Sequence, residues 1–309
     1  MVLDRESQLE LVVVFSLDSS FKTAANDFFH QWQSHFQNNN YEFHLADTSF
    51  LEDQEIMKRS SSFLQKKILQ KKEELSFLKD SRKTLYFVIA QNQMLITEEG
   101  LVLEFVFESS SLHFRSQVQS KNDLLLKASG IFDQKGMKIA DLTAGTLADS
   151  FLLAQYGAQV FAWERTSFLF PLLDHALKVE QQRQASWPSH QQFAKNITLQ
   201  FADAKELLNQ SELFRSMDTF VFDPMFPQTK KTALPRKEMQ VFRQLVGPDL
   251  DAESMVTIFG QALHSEQRLI VKRPIESTSI TWIGPQGRFI VPRRSVRGNL
   301  VRWDIYFAE

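Results

Sequence analysis

Asp223-Pro224-Met225-Phe226-Pro227 closes a short apolar run, Thr219 to Phe222, whose composition predicts a strand. A carboxylate at the C-terminal edge of a strand, stiffened by proline and followed by an aromatic, suits a site that grips a flat base by its exocyclic amine. Such an amine is a poor nucleophile, because its lone pair is delocalised into the ring. Transfer to it needs acceptors for its protons and a fixed line of approach. Asp223 and the Pro224 carbonyl can supply the acceptors, and Phe226 a stacking face for an extruded base. Lys230, Lys231, Arg236 and Lys237 follow and can hold phosphates beside that base. The plainer alternative is that Asp-Pro only turns the chain at a strand end.

Three more acids stand where strands are expected to end. Asp141 opens Asp141-Leu142-Thr143-Ala144-Gly145-Thr146, a tight passage from strand to helix. That passage is the usual anion-binding device of doubly wound folds. Glu164 follows at the tip of the next strand, where a carboxylate can accept both hydroxyls of a ribose. Asp203 comes after the third strand, within reach of an adenine ring. Each alone reads equally as a helix cap. Together with Asp223 they fit an adenosyl ligand along one sheet edge. The G-x-G-x-x-G fingerprint is absent, since Gly145 is the turn's single glycine, and this argues against a nicotinamide cofactor.

The elements that must position these residues alternate from Met137 onward. Strands are predicted at Lys138 to Asp141, Gln159 to Trp163, Ile197 to Phe201, Thr219 to Phe222 and Arg268 to Lys272. Helices are predicted at Thr146 to Tyr156, Phe168 to Gln184, Ala204 to Leu208 and Lys237 to Leu245. Alternation of this kind implies an α/β fold, a doubly wound and mostly parallel sheet. Residues 1–110 read differently, as a small α+β domain. It has a strand at Leu9 to Phe15, a helix from Ser19 or Ser20 to Phe36, and an extended piece at Tyr41 to Leu45. Three short strands close it at Leu85 to Ala90, Met94 to Thr97 and Leu101 to Phe107. Between them, Leu51 to Leu78 carries a long helical pattern, either a coiled-coil arm or an amphipathic helix lying on its own domain. Residues 111–136 link the two parts, and 137–309 form the second domain.

Composition bounds the rest. The 309 residues are 43% hydrophobic, enough for a sizeable core. No apolar stretch reaches the roughly 18 residues of a membrane span, and Leu11 to Phe15 is too short for a signal peptide. There is no cysteine, so disulfides and thiolate metal sites are excluded. His113, His175, His190 and His264 are scattered, without metal-ligand spacing. A cytoplasmic protein with no metal and no membrane partner is expected. Net charge is −2, but residues 1–110 hold 11 Lys/Arg against 17 Asp/Glu, while Arg268 to Arg302 holds eight basic residues and one acid, Glu276. That imbalance fits focused phosphate binding or, more plainly, a solvated surface.

The run VFDPMFPQTKKTALPRKEMQVFRQLVGPDLD, residues 221–251, resembles the small-subunit ribosomal RNA methyltransferase J family. That family shares its Asp-Pro-Met-aromatic-Pro, its Lys-Glu-Met before Val-Phe, and its Leu-Val-Gly. The resemblance extends over roughly Phe105 to Tyr306. It implies a class I, Rossmann-like methyltransferase that uses S-adenosylmethionine to methylate a guanine N2 near the 3′ end of small-subunit ribosomal RNA. The partner implied is ribosomal RNA or the small subunit. Cofactor contacts carried over fall on Asp141, Gly145, Ala148, Asp149, Glu164, Arg165, Asp203, Ala204 and Asp223. Lys272-Arg273-Pro274 matches a Val-Lys-Arg-Pro motif, and Lys272 and Arg273 join the residues expected on RNA. Trp303-Asp304-Ile305-Tyr306 matches a terminal aromatic-Asp-Ile-Tyr and is expected as a closing strand. Two positions depart from the pattern: Leu147 replaces a loop glycine and Ala148 replaces an arginine. Asp149 also fits a capping-box variant with Thr146. Alternatives that stay open are an N6-adenine or other RNA-site methyltransferase, and a non-catalytic RNA-binding or ribosome-assembly protein on the same fold.

Overall fold

A computed structural model describes residues 9–17, 19–46, 49–50, 61–74, 83–90, 94–97, 100–105, 122–225, 241, 245–247, 249–284 and 286–308. The chain divides into two compact units. The described part of the first is 9–105 with 167–176, 241 and 245–247; the second takes the remainder from 122.

In the first unit β1 (Leu9–Ser16) lies between β2 (Glu42–Leu45) and β3 (Lys83–Ile89), parallel to both. β4 (Met94–Ile96) and β5 (Val102–Glu104) extend the sheet antiparallel, in the order β2-β1-β3-β4-β5. Val12, Val13 and Val14 are all fully buried, because a strand covered on both faces reads as a continuous apolar run rather than an alternating one. Helix α1 (Lys22–Asn38) brings Phe28 edge-on to Phe87 and stacks Phe36 on Phe43 at 4.3 Å. Helix α2 (Ser61–Glu74) places Ile68 in the core cluster with Phe15, Phe50 and Tyr86. The long helical pattern, over its described part, therefore lies on its own unit. Ser167 belongs here too: its carbonyl accepts from His35 Nε2 at 2.8 Å, and its hydroxyl shares a 3.0 Å hydrogen bond with Tyr41.

The second unit holds β6 (Lys138–Asp141), β7 (Gln159–Glu164), β8 (Ile197–Phe201), β9 (Thr219–Phe222), β10 (Arg268–Pro274), the two-stranded pair β11 (Trp282–Ile283) and β12 (Phe289–Ile290), β13 (Arg294–Arg297) and β14 (Val301–Phe307). Seven strands form one sheet, ordered β13-β14-β10-β9-β6-β7-β8. β8, β7, β6, β9 and β10 are parallel, as the alternation predicts, while β14 runs antiparallel to both β10 and β13. The strand order reverses between β6 and β9. In open α/β sheets such a switch point opens a crevice beyond the strands' carboxyl ends.

The helices of this region are α3 (Leu124–Ser129), α4 (Ala148–Gln155), α5 (Phe170–Gln184), α6 (Ser211–Arg215) and α7 (Ala252–Ala262). The predicted helix over Ala204 to Leu208 is a 3-10 helix, Ala204–Asn209, and the one over Lys237 to Leu245 falls largely outside the described residues. α3 lies inside the expected linking segment. It is too short for periodicity to reveal it, yet it is capped at both ends. Asp123 accepts from the Leu125 and Leu126 amides, and Gly130 closes it at φ 79°. α7 escapes a propensity reading because Val256, Thr257, Ile258 and Gly260 all weaken a helix. Packing overrides that preference. Met255, Val256 and Phe259 are buried with Phe214, Phe220 and Tyr306, and full burial of each large side chain stabilises by about 1.5–3 kcal/mol. Gly260 is required there, since a Cβ would stand 2.3 Å from the Trp282 ring.

Candidate active site

Four acids occupy the C-terminal edge of adjacent strands. Asp141 ends β6, Glu164 ends β7, Asp203 follows β8 and Asp223 follows β9. In sheet order they read Asp223, Asp141, Glu164, Asp203.

Asp141 is 2% exposed and braces the turn. Its Oδ2 accepts from Ser150 Oγ at 2.6 Å and its Oδ1 from the Thr143 amide at 3.1 Å. Burial lifts its pKa to about 7. The Ser150 hydrogen bond opposes this, the Asp149 charge adds to it, and weaker effects come from Thr143 and Asp223. The first strand is thus fastened to the first turn of α4, where Ala148 and Asp149 lie.

Between them the chain makes two left-handed residues, Gly145 at φ 55° and Leu147 at φ 62°. Leu147 is fully buried, and its amide donates to the Ala144 carbonyl at 2.7 Å. A leucine here holds a conformation that glycine adopts freely, at a cost of about 1–2 kcal/mol. The departure from the family pattern has left the turn in a glycine-like path, with the leucine side chain folded into the core. Beside Gly145 the space is open: a Cβ would meet nothing nearer than the Thr143 carbonyl at 3.7 Å.

Glu164 reaches across to this turn. Its Oε2 accepts from the Gly145 amide at 3.1 Å and its Oε1 from the Thr166 amide at 2.8 Å. Burial raises its pKa, while the bonds from Thr166 and Gly145 and the Arg165 charge pull it down. Each oxygen keeps a further lone pair for a ligand hydroxyl. Arg165 turns instead to Asp249, at 2.5 Å, with Asp251 at 3.8 Å. Asp203 caps the 3-10 helix through the Lys205 amide at 2.9 Å, and Ala204 behind it is buried.

Asp223 is held from two sides. Its amide donates to Thr143 Oγ1 at 2.9 Å, which ties the motif to the turn after β6. Its Oδ2 accepts from Lys272 Nζ at 2.6 Å, and that ammonium stands 5.6 Å from the centroid of the Trp303 ring. Two residues on, Met225 is clasped by Asp249. The Met225 amide donates to Asp249 Oδ2 at 2.7 Å, and its carbonyl accepts from the Asp249 amide at 2.9 Å. Burial raises the Asp249 pKa, against the Met225 amide and Arg165.

Asp249 is the residue the sequence reading missed. It lies within the 221–251 run, but it has no strand end to mark it, and the contact spans 24 residues. Lys272, expected on phosphate, directs its ammonium to Asp223. Arg273 departs from expectation more clearly. It is 6% exposed and donates to the Thr278 carbonyl at 2.7 Å, because strand alternation turns it into the sheet's covered face. Its guanidinium braces a turn and is not presented to RNA. Phe226, Lys230, Lys231, Arg236 and Lys237 lie outside the described residues, while Pro224 is described between Asp223 and Met225. Trp303 to Tyr306 lies within β14, a strand as expected.

The edge is rich in acceptors, and among the described residues the cations Arg165, Lys205 and Lys272 beside it are each paired with a carboxylate. Such a surface repels phosphate and suits a ligand bearing hydroxyls, an amine and positive charge. The residues therefore fit an adenosyl group joined to a cationic tail. Among the described residues no group of His, Asp and Glu has the arrangement of a metal site, and no helix is long and apolar enough to cross a membrane.

Comparison with known proteins agrees with this chemistry. Residues 64–308 match a family described as putative SAM-dependent methyltransferase. The chain is 34% identical over 226 residues to ribosomal RNA small subunit methyltransferase J of Bdellovibrio bacteriovorus, covering 72% of this chain and 80% of that protein. It is 30% identical over 209 residues to the protein of the same name from Coxiella burnetii, covering 68% and 75%. The match to the Hydrogenovibrio crunogenus protein of that name is 37% over 169 residues and spans 56% of its length. Among solved structures, the SAM-dependent methyltransferase NGO1261 from Neisseria gonorrhoeae superposes with a TM-score of 0.56, over 96% of this chain and 95% of that one. Its sequence identity is 18%, so this likeness concerns the fold.

Proposed function

The chain belongs to the ribosomal RNA small subunit methyltransferase J family, and from that premise we propose that it methylates the N2 amine of a guanine near the 3′ end of small-subunit ribosomal RNA. S-adenosylmethionine, when bound, supplies an electrophilic methyl group on a sulfonium. Glu164 accepts hydrogen bonds from the ribose hydroxyls, and Asp203 lies on the adenine side. Asp141 and Ser150 keep the turn in place without touching the reacting atoms. Asp223 accepts one proton of the guanine amine and the Pro224 carbonyl the other. These two bonds would hold the nitrogen in line; as the N–C bond forms and the methyl's bond to sulfur breaks, leaving S-adenosylhomocysteine, the Asp223 carboxylate would take the proton shed by the amine. Phe226 stacks on the extruded base, and Lys230, Lys231, Arg236 and Lys237 hold its flanking phosphates. A ribosomal substrate gives the protein cytoplasmic work.

The observation that carries this reading is the 2.9 Å hydrogen bond from the Asp223 amide to Thr143 Oγ1. It ties Asp223 to the turn after β6, which supports transfer at this sheet edge. The left-handed backbone at Leu147, a conformation that suits glycine, supports a working cofactor turn over a purely binding role. Single-turnover methylation with saturating RNA and cofactor tests the mechanism. Asp223→Ala is expected to abolish transfer while RNA affinity stays close to wild type. A rate within about threefold of wild type, under one kcal/mol of barrier, would sink it. Mass mapping of ribosomal RNA with and without the gene tests the guanine-N2 assignment; loss of any other modification replaces it.

A further inference from the structure

We propose that the exposed arginines of residues 288–297, together with Phe289, form a second RNA-docking surface, remote from the reacting edge, that binds the phosphodiester backbone and stacks one base. This rests on the RNA-methylating reading above.

Between Glu276 and Asp304 the chain carries five arginines and no acid. Arg302 is committed inside, with Asp304. Arg288, Arg293, Arg294 and Arg297 are exposed, and none has an ion-pair partner among the described residues. A surface built only for solubility mixes both signs. This one is of a single sign, and it uses arginine throughout, whose planar fork suits phosphate and ring faces better than lysine.

The arginines alternate with exposed apolar groups. Phe289 is 73% exposed and pairs across the β11–β12 ribbon with Ile283, at 58%; Val291, at 56%, follows. An aromatic ring this open, next in the chain to the exposed Arg288, is the combination used to stack bases along a strand of nucleic acid. Edge strands also carry charge to block strand pairing, and Arg294 and Arg297 lie on the edge strand β13. That purpose does not account for Phe289 and Ile283, which would invite association.

The guanidiniums also converge. Arg268 and Arg293 stand 5.5 and 5.6 Å from the centroid of the Phe307 ring. Burial lowers the Arg268 pKa and the nearby Arg294 charge lowers it further, against the pull of Asp133 and Asp218. Arg293 and Arg294 are exposed with no carboxylate bonded to either among the described residues, and the partly buried charge of Arg268 nearby adds to theirs, so the patch suits an external anion. Arg268 begins β10 at the level of Thr219, about 13 Å along the strands from Asp223, while Arg294 and Arg297 stand on β13, three strands across the sheet from β9.

A transcribed fragment of small-subunit ribosomal RNA is the probe, titrated at several salt concentrations against wild type, Arg293→Ala with Arg294→Ala, and Phe289→Ala. The arginine pair is expected to reduce the slope of log affinity against log salt by about 1.4–1.8, two phosphate contacts. Phe289→Ala should weaken binding roughly fivefold or more and leave the slope unchanged. In both variants KM for RNA rises while the rate at saturating RNA and the cofactor affinity hold, and Arg293→Lys with Arg294→Lys restores the slope. Wild-type affinity and slope in the alanine variants would overturn the surface while leaving the methyltransferase reading intact. So would a wild-type dimer that these substitutions dissolve without loss of RNA binding, which would make the face an interface between copies. Wild-type protein that neither binds nor methylates the RNA removes both proposals.

Discussion

Lys272 and Asp223 meet at 2.6 Å, each side chain about one-third exposed, with the ammonium also near the Trp303 ring. A pair this open contributes at most about 1 kcal/mol to stability. Its importance lies in aim, because it fixes the direction of the Asp223 carboxylate. Lys272→Met is therefore expected to change unfolding free energy by less than about 1 kcal/mol and to lower the single-turnover rate, with RNA affinity unchanged. A raised KM for RNA and a normal rate would return Lys272 to the phosphate-binding set.

Glu164→Ala should weaken S-adenosylmethionine binding by about 1–3 kcal/mol, the worth of a charge-assisted pair of hydrogen bonds. Loss of the acceptor for the Gly145 amide adds disorder in the turn. Titration calorimetry on the folded variant measures this, and unchanged affinity would rule out the ribose role.

Asp141 makes a pH prediction with an unusual sign. Its folded pKa of about 7 lies above its ordinary value of 3.8. Between those values the folded state holds a proton that the unfolded state has released, so this group's contribution to stability falls as pH rises from about 4 to about 7. Asp141→Asn should flatten that fall. Urea unfolding of both proteins at pH 5 and pH 7.5 gives the comparison, and the difference between variant and wild type must change with pH in this direction.

Leu147→Gly relieves about 1–2 kcal/mol of left-handed strain but removes a fully buried leucine, a loss of about 3–5 kcal/mol. The balance predicts net destabilisation of about 1–4 kcal/mol, measured by denaturant unfolding. Leu147→Gly with Ala148→Arg should tighten cofactor binding, since Leu147 already holds a left-handed backbone that glycine adopts freely. Weaker binding in the double variant would show that this turn serves a different geometry.

The four acids at strand tips were legible in the sequence, because alternation of strand and helix marks where each parallel strand must end. Resemblance in the 221–251 run pointed to the same edge. What escaped the sequence was every relation that crosses the sheet. Thr143 bonds Asp223 over 80 residues and Asp249 bonds Met225 over 24, and no periodicity encodes either. Arg273 reads as a surface cation beside Lys272, but neighbouring strand residues face opposite sides, so one turns to Asp223 and the other inward. Leucine gives no hint of a left-handed backbone, and α7 is hidden by its β-branched residues and glycine.

β14 joins β10 to β13, and this has a consequence for how the protein is made. During synthesis, β10 emerges with one edge open and β13 has no neighbour to pair with. Both stay so until Val301–Phe307 has left the ribosome. The same late strand carries Trp303, against which Lys272 rests in reaching Asp223. Completion of the sheet and placement of a ring beside the Lys272 ammonium thus become one event in time. A nascent chain still lacking β14 has no Trp303 ring beside the Lys272 ammonium that meets Asp223.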